Sequence, residues 1–227
     1  MTEIHAPEGE FNAAVLAAGL TGEHVADIVE VLNTLEPAQA ADVVRLLPRD
    51  VAIDILDKPE LYFGAEIIEA LPRYVAAPLL AGMSADMAAD IVQLLEEPAR
   101  SELLTSLDDV SRGAIIGLLA YPENTAGAMM TTEFVSVPSN WTVDQTLQHI
   151  RRVERSRETV YAIYVLDPVT RRLLGAVSLR RLIAGEPSAN ILTLIPDHET
   201  ITTLPLIDRE EVARVITRHD LLAVPVI

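Results

Sequence analysis

Apolar positions in the first half of the chain recur at helical offsets, but only in short bursts. Ala40-Ala41-Asp42-Val43-Val44-Arg45-Leu46-Leu47 and Ala88-Ala89-Asp90-Ile91-Val92-Gln93-Leu94-Leu95 are two such runs. Punctuation falls between the bursts at a near-constant beat. Pro37, Pro48, Pro59 and Pro72 are separated by 11, 11 and 13 residues, and Ser84, Pro98 and Asp109 continue at 12, 14 and 11. Pro, Ser and Asp suit the start of a helix, where a missing or capped N–H costs least. Helices of about 8–10 residues are marginal alone, so the pattern predicts short helices stacked on one another. Residues 23–120 read as an α-solenoid behind an N-terminal extension at 1–22; an unrepeated bundle is the alternative.

The period changes after residue 130. Three β-branched or aromatic runs, 133–137, 160–166 and 173–178, predict strands. Thr142-Val143-Asp144-Gln145 has the form of a capping box opening a helix through Val153. Asp167-Pro168 predicts a turn into the third run. A short helix at 179–183 follows, and the scheme restarts: a strand near 200–203, a helix from Asp208 to about His219, and a strand at 222–227. This second βαβ-type unit lacks a last strand and helix, which reads as a truncated chain.

Composition narrows the chemistry. The chain has 227 residues, half of them apolar, no Cys and a single Trp, enough for one large or two small cores. Without Cys there are no disulfides, thiolate metal sites, Cys nucleophiles or Fe–S clusters. The N-terminus is acidic where a signal peptide needs a basic flank. No uncharged apolar window reaches about 18 residues, the span of a membrane helix; the most apolar stretch, 113–121, predicts a core helix. The formal charge is −17, and it is lopsided. Residues 1–130 hold 6 basic and 22 acidic side chains, whereas 131–227 hold 11 and 12. That balance excludes nucleic-acid binding and favours cations or a basic partner.

Asp86 and Asp90 lie four apart on one expected helix face, where like charges cost stability unless something neutralises them. A solvated face is the plain alternative. The five histidines show no zinc-like spacing, and no P-loop, G-x-S-x-G or H-E-x-x-H motif occurs, so no enzyme is expected.

Tyr121-Pro122-Glu123-Asn124-Thr125-Ala126-Gly127-Ala128-Met129-Met130-Thr131 resembles the junction of MgtE-type magnesium transporters, where an acidic helical region runs into a pair of CBS motifs. Ile163-Tyr164-Val165-Leu166-Asp167, Glu210-Glu211-Val212-Ala213-Arg214 and Val224-Pro225-Val226 fit the CBS pair. The resemblance implies a multidomain α and α+β chain: a right-handed-type superhelix of short helices at 23–128, a first CBS motif (βαββα) at 129–186, and a linker with a truncated second CBS motif at 187–227. It implies a homodimer through the CBS motifs on the cytoplasmic side of the cell membrane, this piece being soluble. A transmembrane pore domain would follow residue 227. Mg²⁺ would be the sensed ligand, with a hinge near 124–130.

Carried over residue by residue, the family's Mg²⁺ positions fall on Asp54, Asp86, Asp90, Asp208, Glu210 and Asp220. Local explanations compete at three of them. Asp208 heads a helix with Glu211 three later, as an N-cap with its box partner would. Glu210 suits the positive end of a helix dipole in any role. Asp220 sits near a helix C-terminus, where the dipole disfavours an anion and a bound cation would explain it better. Mg²⁺ sheds water reluctantly, so the family chemistry suits acidic faces bridged by hydrated ions. Two carboxylates about 5–6 Å apart repel by roughly 0.7 kcal/mol in water and roughly 3 at an effective dielectric of 20. The alternative is an adenine-nucleotide-sensing CBS module with the helices as a docking scaffold, Arg180 meeting a phosphate. Arg181 stands where a ribose-binding acid is usual and Leu221 where an aromatic would stack, which counts against ATP.

Overall fold

The computed structural model describes residues 11–153 and 160–227, which divide into two units, Met1–Ala120 and Tyr121–Ile227. In the first, α1 (Ala13–Leu20), α2 (Val25–Leu32), α3 (Pro37–Val44), α4 (Arg49–Leu56), α5 (Gly64–Ala70), α6 (Arg73–Leu80), α7 (Ala85–Leu94), α8 (Ala99–Ser106) and α9 (Asp109–Leu119) follow in turn. Each packs chiefly on the helix two ahead. One row runs α1, α3, α5, α7, α9 and the other α2, α4, α6, α8. The structural repeat is therefore a helix pair: α2, α4 and α6 begin at residues 25, 49 and 73, twice the beat of the punctuation. Ile28, Ile55, Ile68, Leu80 and Leu103 are among the fully buried side chains of this unit.

Most of the punctuation marks helix starts. Pro37 opens α3, and Pro48, Pro72, Ser84 and Pro98 immediately precede α4, α6, α7 and α8. Pro59 instead lies in the turn before α5. Asp108, not Asp109, caps α9: its Oδ1 accepts from the Val110 and Ser111 N–H groups at 2.9 and 3.0 Å. Hydrogen bonds, the Ser111 hydroxyl's first, hold the Asp108 carboxyl below the usual range. Helix α1 falls where only an extension was expected. Asn12 caps it, and Ala17 and Leu20 are buried. Its sequence, AAVLAAGL, is apolar on nearly every side and so shows no distinct face.

Polar side chains tie successive repeats together. Asn33, just after α2, donates to the Glu60 carbonyl at 2.8 Å and accepts from Tyr62 N–H at 3.1 Å. One repeat later Asp57, just after α4, accepts from Ser84 N–H and Oγ–H at 3.0 and 2.7 Å. Arg49 donates to the Pro78 carbonyl at 2.9 Å, and at the equivalent place Arg73 Nε reaches Glu102 at 3.5 Å. The arginine bonds run along one row, α4 to α6 and α6 to α8, whereas the Asn33 and Asp57 bonds join helices of different rows.

The second unit holds α10 (Ala126–Met129), β1 (Val135–Pro138), α11 (Val143–Val153), β2 (Ala162–Leu166), β3 (Leu173–Ser178), α12 (Leu179–Ala184) and α13 (Arg209–His219). Strand order is β1-β2-β3, with β1 parallel to β2 and β2 antiparallel to β3. Val135, Val137, Ile163, Val165 and Val177 alternate inward onto Val143, Ile150, Leu182 and Ile191. The capping box forms as the pattern predicts, with Thr142 N–H to Gln145 at 2.9 Å and the return bond at 3.2 Å. Asp167 accepts from Val169 and Thr170 to shape the β2–β3 turn, and these bonds, led by the Thr170 N–H, hold its carboxyl below the usual range.

The strands expected near 200–203 and at 222–227 shrink to one parallel bridge, Thr203 with Val226. Pro205 and Pro225 lack the N–H that a longer ladder would use. Backbone bonds tie the junction to a later segment. Thr125 bridges Asp208; Ala126 and Gly127 donate to Ile207 and Pro205 at 2.8 Å, and Arg209 donates to Asn124 at 2.9 Å. Residues 124–127, part of the expected 124–130 hinge, are thus hydrogen-bonded to the segment entering α13. A Cβ on Gly127 would lie 2.5 Å from the Tyr121 ring, so that close approach requires glycine.

Truncating Ile68, fully buried in α5, to alanine should cost the helical unit about 2–5 kcal/mol. Urea denaturation followed by helix circular dichroism measures it.

Candidate functional site

Helix α7 carries the acidic pair. Ser84 precedes it, buried and engaged by Asp57, while Ala88, Ala89, Ile91 and Val92 turn into the stack. That burial leaves Asp86 and Asp90 one turn apart on the outer side, Asp86 half-buried and Asp90 exposed. Partial desolvation and then repulsion from Asp86 push the Asp90 carboxyl above its ordinary value. Among the described residues no basic side chain pairs with Asp90. Asp54 is exposed near the end of α4, three residues before Asp57.

The candidates of the second unit sit at the two ends of α13. Asp208 caps its start, accepting from Glu210 N–H at 2.8 Å; no capping box forms there in which Glu211 would accept from the Asp208 N–H. Glu210 faces Arg214 across 3.6 Å, both about three-quarters exposed, an ion pair of little energetic weight. Asp220 has a local explanation that the dipole argument lacked. It is the left-handed C-cap, at φ 49 and ψ 48, a conformation that Asp and Asn tolerate better than most residues. Arg218 supplies positive charge in the last turn. No bound cation is needed to account for Asp220.

Within this unit lies a groove of about 890 Å³ whose lining includes Phe134, Tyr164, Arg171, Arg172 and Arg209. The Phe134 and Tyr164 rings meet edge to face, 5.8 Å apart, and burial pushes the Tyr164 hydroxyl pKa up, keeping it neutral. Apolar walls with arginines suit an anionic, partly planar ligand. Sequence reading missed these arginines, because they come from a hairpin and a helix start far apart in the chain. Arg180, the phosphate contact it selected, is exposed on α12 and is not in the lining. Arg181 is drawn to the Leu194 carbonyl at 3.3 Å.

Residues 23–124 match the family model described as the MgtE intracellular N domain, and residues 126–186 match the CBS domain. The crystal structure of the cytosolic domain of the Mg²⁺ channel MgtE in complex with ATP aligns at TM-score 0.83 and 31% identity, covering 95% of this chain and 88% of that one. The chain belongs to the MgtE family. The soluble part of a magnesium transporter aligns equally well, at TM-score 0.83 and 27% identity over 94% of this chain and 89% of that one. Magnesium transporter MgtE of Thermus thermophilus is 35% identical over 120 residues, 53% of this chain and 26% of that protein. The Enterococcus faecalis MgtE is 40% identical over 114 residues, 50% and 25%. The match thus spans about a quarter of the length of these curated relatives, and the chain corresponds to the MgtE cytosolic region. No helix among its described residues is long and apolar enough to cross a membrane.

The MgtE residues in place fit Mg²⁺ in one particular way. Among the described residues no three Asp, Glu, His or Cys side chains converge on a common point, so a closed ligand cage is not built. Carboxylates are nonetheless the hard donors Mg²⁺ takes, and an ion that keeps its waters needs only one or two of them. The pair on α7 offers that donor set.

The raised pKa of Asp90 gives a signed expectation. Stability is lost as pH rises through the raised folded value, because ionising the partly desolvated Asp90 beside Asp86 is unfavourable. Asp90→Asn should therefore stabilise the metal-free protein by about 0.3 kcal/mol at pH 7. The gain should vanish below the ordinary value of 3.8. Thermal melts of both proteins across pH check it.

Proposed function

We propose that this chain is the Mg²⁺-responsive regulatory region of a magnesium transporter or channel. The observation that carries the reading is the acidic pair on α7, two carboxylates one turn apart whose mutual repulsion raises the Asp90 pKa after desolvation and which a hydrated divalent cation would relieve. Asp54, Asp208, Glu210 and Asp220 join the acidic surface in this reading. Mg²⁺ then binds the compact state of the two units better than the separated one, and shifts the population toward it. The compact state favours a closed pore in the full-length protein, and the chain pairs with a second copy through its CBS region. The role is regulatory rather than enzymatic, and the similar proteins, magnesium transporters and a Mg²⁺ channel, support it.

A second ligand is favoured by a separate observation. The groove of the CBS unit, with its ring pair and arginines, has the chemistry of an adenine-nucleotide site, and the MgtE structure aligned over nearly the whole chain is named as an ATP complex. Without an acid at position 181 for the ribose, binding here rests on stacking and phosphate contacts. ATP should consequently bind more tightly than AMP.

Millimolar Mg²⁺ should reduce the radius of gyration in small-angle scattering and slow amide exchange around α7. The double variant Asp86→Asn/Asp90→Asn should need about tenfold more Mg²⁺, equivalent to about 1.4 kcal/mol. A scattering curve and exchange pattern indifferent to Mg²⁺ would refute the sensing role. Calorimetry with ATP and AMP tests the second ligand, and equal affinity for both would contradict phosphate-led binding.

A further inference from the structure

We propose that Asp57 is a positioning residue for the acidic pair: it sets the Mg²⁺ response by holding the start of α7 against the end of α4. This rests on the Mg²⁺-sensing reading above.

Ser84 is the N-cap residue of α7, yet its side chain makes no capping bond to its own helix. Its hydroxyl is turned away and donates to Asp57 Oδ1 at 2.7 Å, and its N–H donates to the same oxygen at 3.0 Å. Ser84 is only 3% exposed, so both donors are removed from water and depend on that one acceptor. The acceptor comes from another helix pair. Asp57 is the C-cap of α4, 27 residues earlier. Packing along the rows joins α4 to α2 and α6, and α7 to α5 and α9. The rows alone therefore do not register α4 against α7.

Those two helices are the ones that carry the candidates of this unit. Asp54 precedes Asp57 by three residues, and Asp86 follows Ser84 by two. One carboxylate oxygen thus anchors the helix end bearing Asp54 to the helix start bearing Asp86. Without it the buried Ser84 donors lose their partner, the first turn of α7 loosens, and Asp86 no longer keeps a fixed place relative to Asp90. The previous repeat shows that a neutral amide can do the same work. Asn33, at the equivalent position after α2, accepts from Tyr62 N–H through its Oδ1.

That precedent separates positioning from direct ligation. Asp57→Asn keeps an acceptor for Ser84 and removes the charge, whereas Asp57→Ala removes both. Mg²⁺ titration of the whole chain, read by amide exchange of α7 and by calorimetry, should show the midpoint of Asp57→Ala raised about threefold to tenfold. Its amides at 85–90 should exchange faster even without Mg²⁺. Asp57→Asn should stay within about twofold of the parent. Ser84→Ala, which removes one of the two bonds, should fall between and carries the test if Asp57→Ala does not fold. A midpoint unchanged in Asp57→Ala or, failing that, in Ser84→Ala overturns the proposal. So does an Asp57→Asn midpoint as weak as that of Asp57→Ala, which would make Asp57 a ligand. A parent chain that ignores Mg²⁺ altogether overturns the sensing reading itself, and the positioning role with it.

Discussion

Two carboxylates one helical turn apart repel, and a ten-residue helix has little strength of its own with which to oppose them. Helix α7 holds Asp86 and Asp90 together only because its other side is locked into a row between α5 and α9. Packing energy from Ala88, Ala89, Ile91 and Val92 holds the pair in place, and the Asp90 carboxyl is raised first by partial desolvation and then by Asp86. A stack of short helices suits this purpose. Each helix contributes one small outward face, and neighbouring faces are fixed by shared packing instead of by the strength of any one helix.

The second unit is built on the opposite balance. Its sheet and two flanking helices make a conventional alternating core, and its charges nearly cancel. Its acids sit at helix ends, where capping already accounts for Asp208 and left-handed geometry for Asp220. Arginines gather instead around its groove. The segment that follows the helical unit is hydrogen-bonded to the residues entering α13.

Much of this was legible in the sequence, for local reasons. Proline and serine marks located five helix starts because the cost of a missing or redirected N–H depends only on neighbouring residues. The Thr142–Gln145 box and the Asp167 turn were legible on the same grounds. What escaped were features decided at a distance. Helix α1 has no polar face to reveal it, and its burial comes from α3. The short pairing of 203 with 226 depends on two prolines removing ladder donors from segments whose composition alone suggested strands. At Asp220 the dipole argument left out the backbone, which turns left-handed there. The ties at Asn33 and Asp57 share a 24-residue spacing with those at Arg49 and Arg73, but their partners lie 27 to 29 residues on, beyond any local pattern. Of the candidate site, the acids on α7 were found from their spacing; the groove arginines needed the fold.

The central claim is that a divalent cation sits at the paired carboxylates of α7. Crystals grown with Mn²⁺, a hard divalent stand-in for Mg²⁺ that scatters anomalously, would test it most directly. The account predicts an anomalous peak beside Asp86 and Asp90, close enough for a carboxylate to touch the ion or one of its waters. Clean anomalous maps at saturating Mn²⁺, with both side chains meeting only solvent, would contradict it.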